Sequence, residues 1–188
     1  TNQVDGDVTV SGAESKADVE MVFGTVTAMD DAEVKVRQAN QLNLEGTFYS
    51  PGHSPGRTDL AGLSTITSNV LFELGGTSPF PSNFNQGVDV TDNFYDIITA
   101  ESVTLNNATV YGALWPTNNY ELNTFKPTAN DTFRVISANT VVVEGVLSFV
   151  LPTLDRTLRW VTSDFLSTGS LSVTRNSAPE AVIPTVLS

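Results

Sequence analysis

The chain has 188 residues, a formal net charge of -12 and a sequence pI of about 4.2, long enough for one domain with a sizeable core. Charged residues make up only 16% of it. The surface therefore leans on Thr, Ser and Asn, and so acidic and Lys-poor a chain is a poor candidate for binding nucleic acid or an anionic membrane, both of which need a basic patch. The absence of cysteine excludes disulfides, thiol nucleophiles and thiolate metal sites.

Helical periodicity is nearly absent, and only Ala13–Glu20 has a helix-like composition. β-type runs recur instead: Asp7–Ser11, Val19–Phe23, Glu33–Val36, Leu42–Phe48, Leu63–Leu74, Tyr95–Ile98, Ser102–Leu105, Thr109–Leu114, Thr132–Ile136, Thr140–Val150, Thr157–Val161 and Ser170–Thr174. They are rich in Val, Ile, Thr and aromatics, and many alternate apolar with polar. Gly, Asn and Asp punctuate them at Gly12, Gly24, Asp30-Asp31, Gly46, Gly75-Gly76, Asn106-Asn107, Asn118-Asn119, Asn130-Asp131 and Gly169. Short strands at this frequency predict an all-β fold, either a solenoid or, as the alternative, a β-sandwich.

The solenoid is favoured by loosely returning phrases: Gly6-Asp7-Val8-Thr9-Val10-Ser11-Gly12, Leu42-Asn43-Leu44-Glu45-Gly46 and Gly169-Ser170-Leu171-Ser172-Val173. Each reads as one edge of a coil whose inward residues stack on the next. Two stretches break the pattern. Ser78–Asn93, with Pro79, Pro81 and Gly87, reads as a long projecting loop. Asn176–Ser188, with Pro179 and Pro184 around Val182, Ile183, Val186 and Leu187, reads as a tail or a strand donated to a neighbour. Between the early strands and the rest lies Tyr49-Ser50-Pro51-Gly52-His53-Ser54-Pro55-Gly56, half Pro or Gly. Pro fixes φ and has no N–H, so this is a tight turn rather than a helix or central strand.

That turn opens a resemblance. Ser-Pro-Gly-x-Ser-Pro-Gly and Leu71-Phe72-Glu73-Leu74-Gly75-Gly76-Thr77 are followed by Tyr95-Asp96-Ile97-Ile98. Then come Phe125-Lys126-Pro127…Asn130-Asp131-Thr132-Phe133-Arg134-Val135-Ile136, Leu151-Pro152, Leu158-Arg159-Trp160 and Gly169-Ser170-Leu171-Ser172-Val173. In this order the motifs resemble the C-terminal β-helical passenger region of bacterial autotransporter-type and related large surface proteins, from Ser50 to Val173. Asn130 stands where the family has Gly, which Asn can do because it tolerates left-handed φ, and the Ser78–Asn93 loop is longer than the family's turn. The resemblance implies a right-handed parallel β-helix with a C-terminal cap and a secreted or cell-surface structural role. It brings no catalytic residues.

Side-chain chemistry is sparse. His53, the single imidazole, has Ser54 and Asp59 near it in sequence, but chain neighbours seldom form a triad, and an exposed turn residue is the default. Paired carboxylates suited to polysaccharide hydrolysis would come from Asp30-Asp31 with Glu33, from Asp89 with Asp92, or from Glu20; solvated turns are the default. Asp89, Asp92 and Asp96 have the hard oxygen ligands that a structural calcium ion takes. Asn107-Ala108-Thr109 and Asn130-Asp131-Thr132 fit the N-glycosylation pattern, as chance also allows in so Asn- and Thr-rich a chain. Trp115, Tyr120, Phe125, Phe133, Trp160 and Phe165 read as core and cap packing, with a sugar-stacking platform as the other use.

The expectation is therefore one solenoid domain over residues 1–175, with irregular N-terminal strands over 1–48, the family-like unit over 49–175, and 176–188 as tail. It is expected to be a non-enzyme with no catalytic, cofactor or metal residues. The function expected is an extracellular structural protein that self-associates into a homopolymer, a surface filament or layer, through strand ends such as Val4–Val10 and Ala181–Leu187. The alternative is an adhesive or glycan-binding β-helix of a larger surface protein. Neither nucleic-acid binding nor membrane insertion is expected. A first residue Thr1 fits a secreted chain whose signal peptide has been removed, though a chain cut at that point would look the same.

Overall fold

A computed structural model describes residues 3–12, 15–29, 33–51, 56–82, 94–115 and 124–176, apart from the side chains at 33, 46–48 and 68. It is all-β but for one short helix. Among the described residues the strands fall into six successive layers. The first is β1 (Gln3–Val4) with β2 (Val8–Ser11), the second β3 (Lys16–Met29), the third β4 (Glu33–Tyr49). The fourth is β5 (Arg57–Leu60) with β6 (Leu63–Leu74). After a short excursion, β7 (Ser78–Pro79) and β8 (Phe94–Tyr95), the fifth is β9 (Ile97–Asn106) with β10 (Thr109–Leu114). β11 (Thr132–Arg134) leads into the sixth, β12 (Ile136–Glu144) with β13 (Ser148–Val150). The chain ends in β14 (Leu158–Val161), helix α1 (Phe165–Thr168) and β15 (Ser170–Arg175).

Each layer pairs in parallel with the one before and the one after it. The result is a 12-stranded sheet, parallel except where Leu74 meets Tyr95. β11, β15 and β14 form a separate three-stranded antiparallel sheet. The residues before Tyr49 belong to the same sheet as those after it, and Lys16–Glu20, from the stretch of helix-like composition, is part of β3.

The register explains the alternation read in the sequence. Successive strand residues point to opposite faces, so parallel layers align like side chains in rows. One inward row runs Val10, Ala28, Leu44, Ile66, Leu105, Val143, each paired with the next. A second runs Tyr49, Val70, Val110, Phe149. Ala28, Ile66, Leu105, Val70 and Val110 are fully buried, each of the larger aliphatics worth about 1.5–3 kcal/mol relative to exposure. The neighbouring outward row is polar until its last member: Thr9, Thr27, Asn43, Thr65, Thr104, Val142.

Corners stack as well. Asn107, at φ 48, lies over Gly145. Its N–H donates to Glu144 O (2.9 Å), and its Oδ1 accepts from Val146 N (3.1 Å). Gly145 has φ 71, and a Cβ there would land on the Asn107 carboxamide. Only glycine satisfies both conditions, which is why the expected single run Thr140–Val150 breaks into β12 and β13.

The C-terminal unit packs on part of the sixth layer. Ile136 N donates to Gly169 O (3.1 Å) and Phe165, fully buried, meets Phe149 edge-on at 5.1 Å. Phe133 gathers Tyr95, Phe125 and Trp160 around it at 5.6–6.0 Å. Trp160 Nε1 donates to Pro152 O (2.8 Å).

Candidate functional site

Two features stand out from the stacked core: a buried polar knot around Asp96, and the two ends of the strand stack.

Asp96 sits between β8 and β9 and is completely buried. Its Oδ1 accepts from Gly56 N (2.5 Å) and its Oδ2 from Glu73 N (2.8 Å). Asp96 N in turn donates to Glu73 O (2.9 Å), and Gly75 N to Phe94 O (2.9 Å). One carboxylate thus ties together the last residue of the Ser-Pro-Gly turn, the end of β6 and the start of β9. Glu73 is itself only 7% exposed. Burial pushes the Asp96 carboxyl well above the usual range; the two amide hydrogen bonds oppose the push and the Glu73 charge adds to it. Tyr49 lies next to this knot. Its hydroxyl is 2.5 Å from Thr58 Oγ1, which donates to Val36 O (2.6 Å). Burial raises the Tyr49 hydroxyl pKa, against the Thr58 hydrogen bond, and the Asp96 charge raises it further.

The other candidate carboxylates are scattered. Glu20 meets Arg37 of the next layer at 3.7 Å. Asp59 takes Arg57 Nε at 2.6 Å and the Thr99 hydroxyl. The structure does not bring Glu20, Asp59 and Asp96 together. His53, Ser54, Asp30, Asp31, Asp89, Asp92, Tyr120, the Glu33 side chain and the segment 177–188 lie outside the described residues. Of the calcium trio only Asp96 is described, and both its oxygens already accept backbone N–H groups. Among the described residues no group of three or more His, Cys, Asp or Glu is placed to hold a metal ion. Asn107 of the first glycosylation pattern spends its carboxamide on Val146 N and on Asn106 Oδ1. Asn130 of the second takes φ 79 at a turn. Phe125 and Trp160, both half-buried, pack against the buried Phe133.

The sequence reading did not single out Glu73, Ser64 or Gly56 as polar anchors. The available signal was Glu73, an acid inside the apolar run Leu71–Leu74.

At the ends, the rows stop half-covered. Val8 and Val10 in the first layer and Val141, Val143 and Phe149 in the sixth are half-buried, whereas their partners within the stack are buried. Among the described residues β2 pairs only with β3, β12 only with β9, and β13 only with β10. Beyond the bond from Ile136 to Gly169, no backbone hydrogen bond joins β12 or β13 to the C-terminal unit among the described residues. Val142, Val146, Val150 and Leu166, all on the sixth layer or the helix beside it, are 39–65% exposed. Ile136–Val150 contains no Lys, Arg or Pro, the residues with which natural edges are blocked. No helix among the described residues is long and apolar enough to cross a membrane. Compared with known proteins, the chain matches no family model, no curated protein and no solved structure.

Proposed function

We propose that this chain is a right-handed parallel β-helix that serves as an extracellular structural protein, a subunit of a surface filament or layer assembled end to end. The observation that carries the reading is the pair of open strand edges in the first and sixth layers. Both ends expose the same inward rows, and every layer runs in the same sense. A second copy placed beyond Val141–Glu144 would continue the parallel ladder with its own Val8–Ser11. Such a contact joins unlike surfaces and does not close, so it propagates as a fibre. The strictly sequential parallel pairing supports a β-helix over a β-sandwich, whose sheets are built from antiparallel strands. The acidic, Thr- and Asn-rich surface and the motif order from Ser50 to Val173 support a place at the cell surface.

Negative-stain imaging and sedimentation across a concentration series test the proposal. Wild-type chain is expected to form filaments or ladders of oligomers, and Val142→Lys with Val146→Lys to remain monomeric while keeping its circular dichroism. A wild type that stays monomeric throughout, or a lysine variant that assembles unchanged, overturns it. Deletion of residues 177–188 separates the two ways of joining. Assembly that survives the deletion proceeds by stacking of the ends; assembly lost with it proceeds by donation of the tail as a strand.

A further inference from the structure

We propose that helix α1 with its flanking turns is a flap that regulates end-to-end assembly, closed over the sixth layer in the single chain and displaced when a second copy stacks there. The inference rests on the end-to-end reading above and adds how that contact is controlled. α1 is the connection between two strands of the separate sheet: β14 ends at Val161, α1 spans Phe165–Thr168, and β15 starts at Ser170. β14 pairs with β15 along Leu158–Val161, and Trp160 packs on Phe133, so residues 162–169 can lift while the sheet stays in place.

Two contacts show what the closed flap occupies. Inside the stack, the Ile98 amide donates to Val135 O of the next layer (2.9 Å). Its partner one layer on, the Ile136 amide, donates to Gly169 O (3.1 Å). Gly169 thus supplies the acceptor that a seventh layer would supply. Phe149 ends the row Tyr49, Val70, Val110, Phe149, and Phe165 sits on it at 5.1 Å, about one strand spacing. The Phe165 ring thus fills the place of the next row member, and it is fully buried there. α1 packs against β12 as well. A helix is roughly 10–12 Å across with its side chains, whereas paired strands lie about 4.8 Å apart. A second copy's first layer therefore cannot come to pairing distance while α1 lies on the sixth.

The closed flap is lightly held. Among the described residues the bond from Ile136 to Gly169 is the single backbone hydrogen bond between β12 or β13 and the C-terminal unit. Leu166, beside the buried Phe165, is 51% exposed, so α1 grips by one face. Gly169, at φ 67, gives the base of the flap a conformation that glycine adopts freely. The strand edge of β12 stays open beside it, pairing only with β9 among the described residues. Only the open fraction of chains can stack, and the apparent affinity between copies is lowered by that fraction.

The test is the concentration at which the full chain assembles, read by sedimentation, in the wild type, Phe165→Ala and Gly169→Ala. The first substitution empties the place over Phe149, and the second drives a Cβ onto Ile136 O. Each variant is expected to assemble at a concentration about tenfold lower than the wild type. Adding Val142→Lys and Val146→Lys to Phe165→Ala is expected to return it to monomer, because the gained contact runs through the sixth layer. Hydrogen exchange of the wild-type monomer gives a readout that needs no variant. The Ile136 amide is expected to exchange about tenfold faster than the Ile98 amide, since opening of the flap frees the one and not the other. Equal protection of the two amides, an assembly concentration unchanged in either variant, or assembly of Phe165→Ala despite the lysines overturns the flap. Wild type and variants that all stay monomeric at every concentration overturn the end-to-end reading, and the flap with it.

Discussion

Ser64 offers the sharpest test of how the stack is held together. It occupies the inward row between Leu42 and Val103, where every other residue from Val8 to Val141 is aliphatic, and it is 2% exposed. By area alone, Ser64→Ala should be neutral or mildly stabilising, because it removes a hydroxyl from an apolar row. The structure supplies that hydroxyl with a partner, since its Oγ accepts from Leu42 N at 3.1 Å, with both groups buried. Removing it leaves a buried N–H with no acceptor, which costs about 1–3 kcal/mol. No new methylene is buried in exchange, so the gain that could offset this, about 0.8 kcal/mol per CH₂, is absent. For a chain of this size each kcal/mol corresponds to roughly 2–4 °C, so Ser64→Ala is expected to melt about 2–12 °C lower by circular dichroism. The Leu42 amide should lose protection more than its neighbours. A variant as stable as the wild type, with Leu42 still protected, would refute the reasoning.

Position along the stack should set the cost of a deletion. Val103 and Val141 are directly paired in one row, the first fully buried and the second half-buried. Val103→Ala is expected to cost about 2–3 kcal/mol and Val141→Ala about half that, read from urea unfolding of the monomer. Equal costs would mean the sixth layer is covered, and in assembled material the gap should narrow. At Gly169 the backbone has φ 67, and a Cβ would fall on Ile136 O. Gly169→Ala therefore combines a left-handed strain of about 1–2 kcal/mol with loss of the Ile136–Gly169 bond. Its Trp160 fluorescence should report a loosened C-terminal unit at temperatures where the sixth layer is still folded. Unchanged fluorescence and melting would show that the junction does not hold the cap.

Much of this molecule was legible in its residues alone. Leu63–Leu74 and Thr109–Leu114 are strands with the bounds their β-branched alternation predicts, because inward and outward environments are written directly into period-two sequence. Asn107, Asn130 and Gly169 mark real turns, since the positive φ each adopts is a local property that short polar side chains and glycine tolerate. Long pairings were not legible. Glu33–Val36 and Leu42–Phe48 read as two strands, yet they are one continuous β4, held together by ladders to β3 and β6 that no local window contains. β5 and α1 are short elements fixed by their neighbours rather than by propensity.

The polar anchors show the same division. The sequence by itself determined an acidic all-β chain of short, alternating, Asn- and Gly-punctuated runs, because composition and periodicity are local quantities. Only the tertiary structure decided which run lies on which, and so that Asp96 serves Gly56 and Glu73 rather than a cation, and that Ser64 answers Leu42 from the adjacent layer. Those assignments depend on residues 22 to 40 positions apart meeting in space, and the free energy of such a meeting belongs to the register of the whole stack.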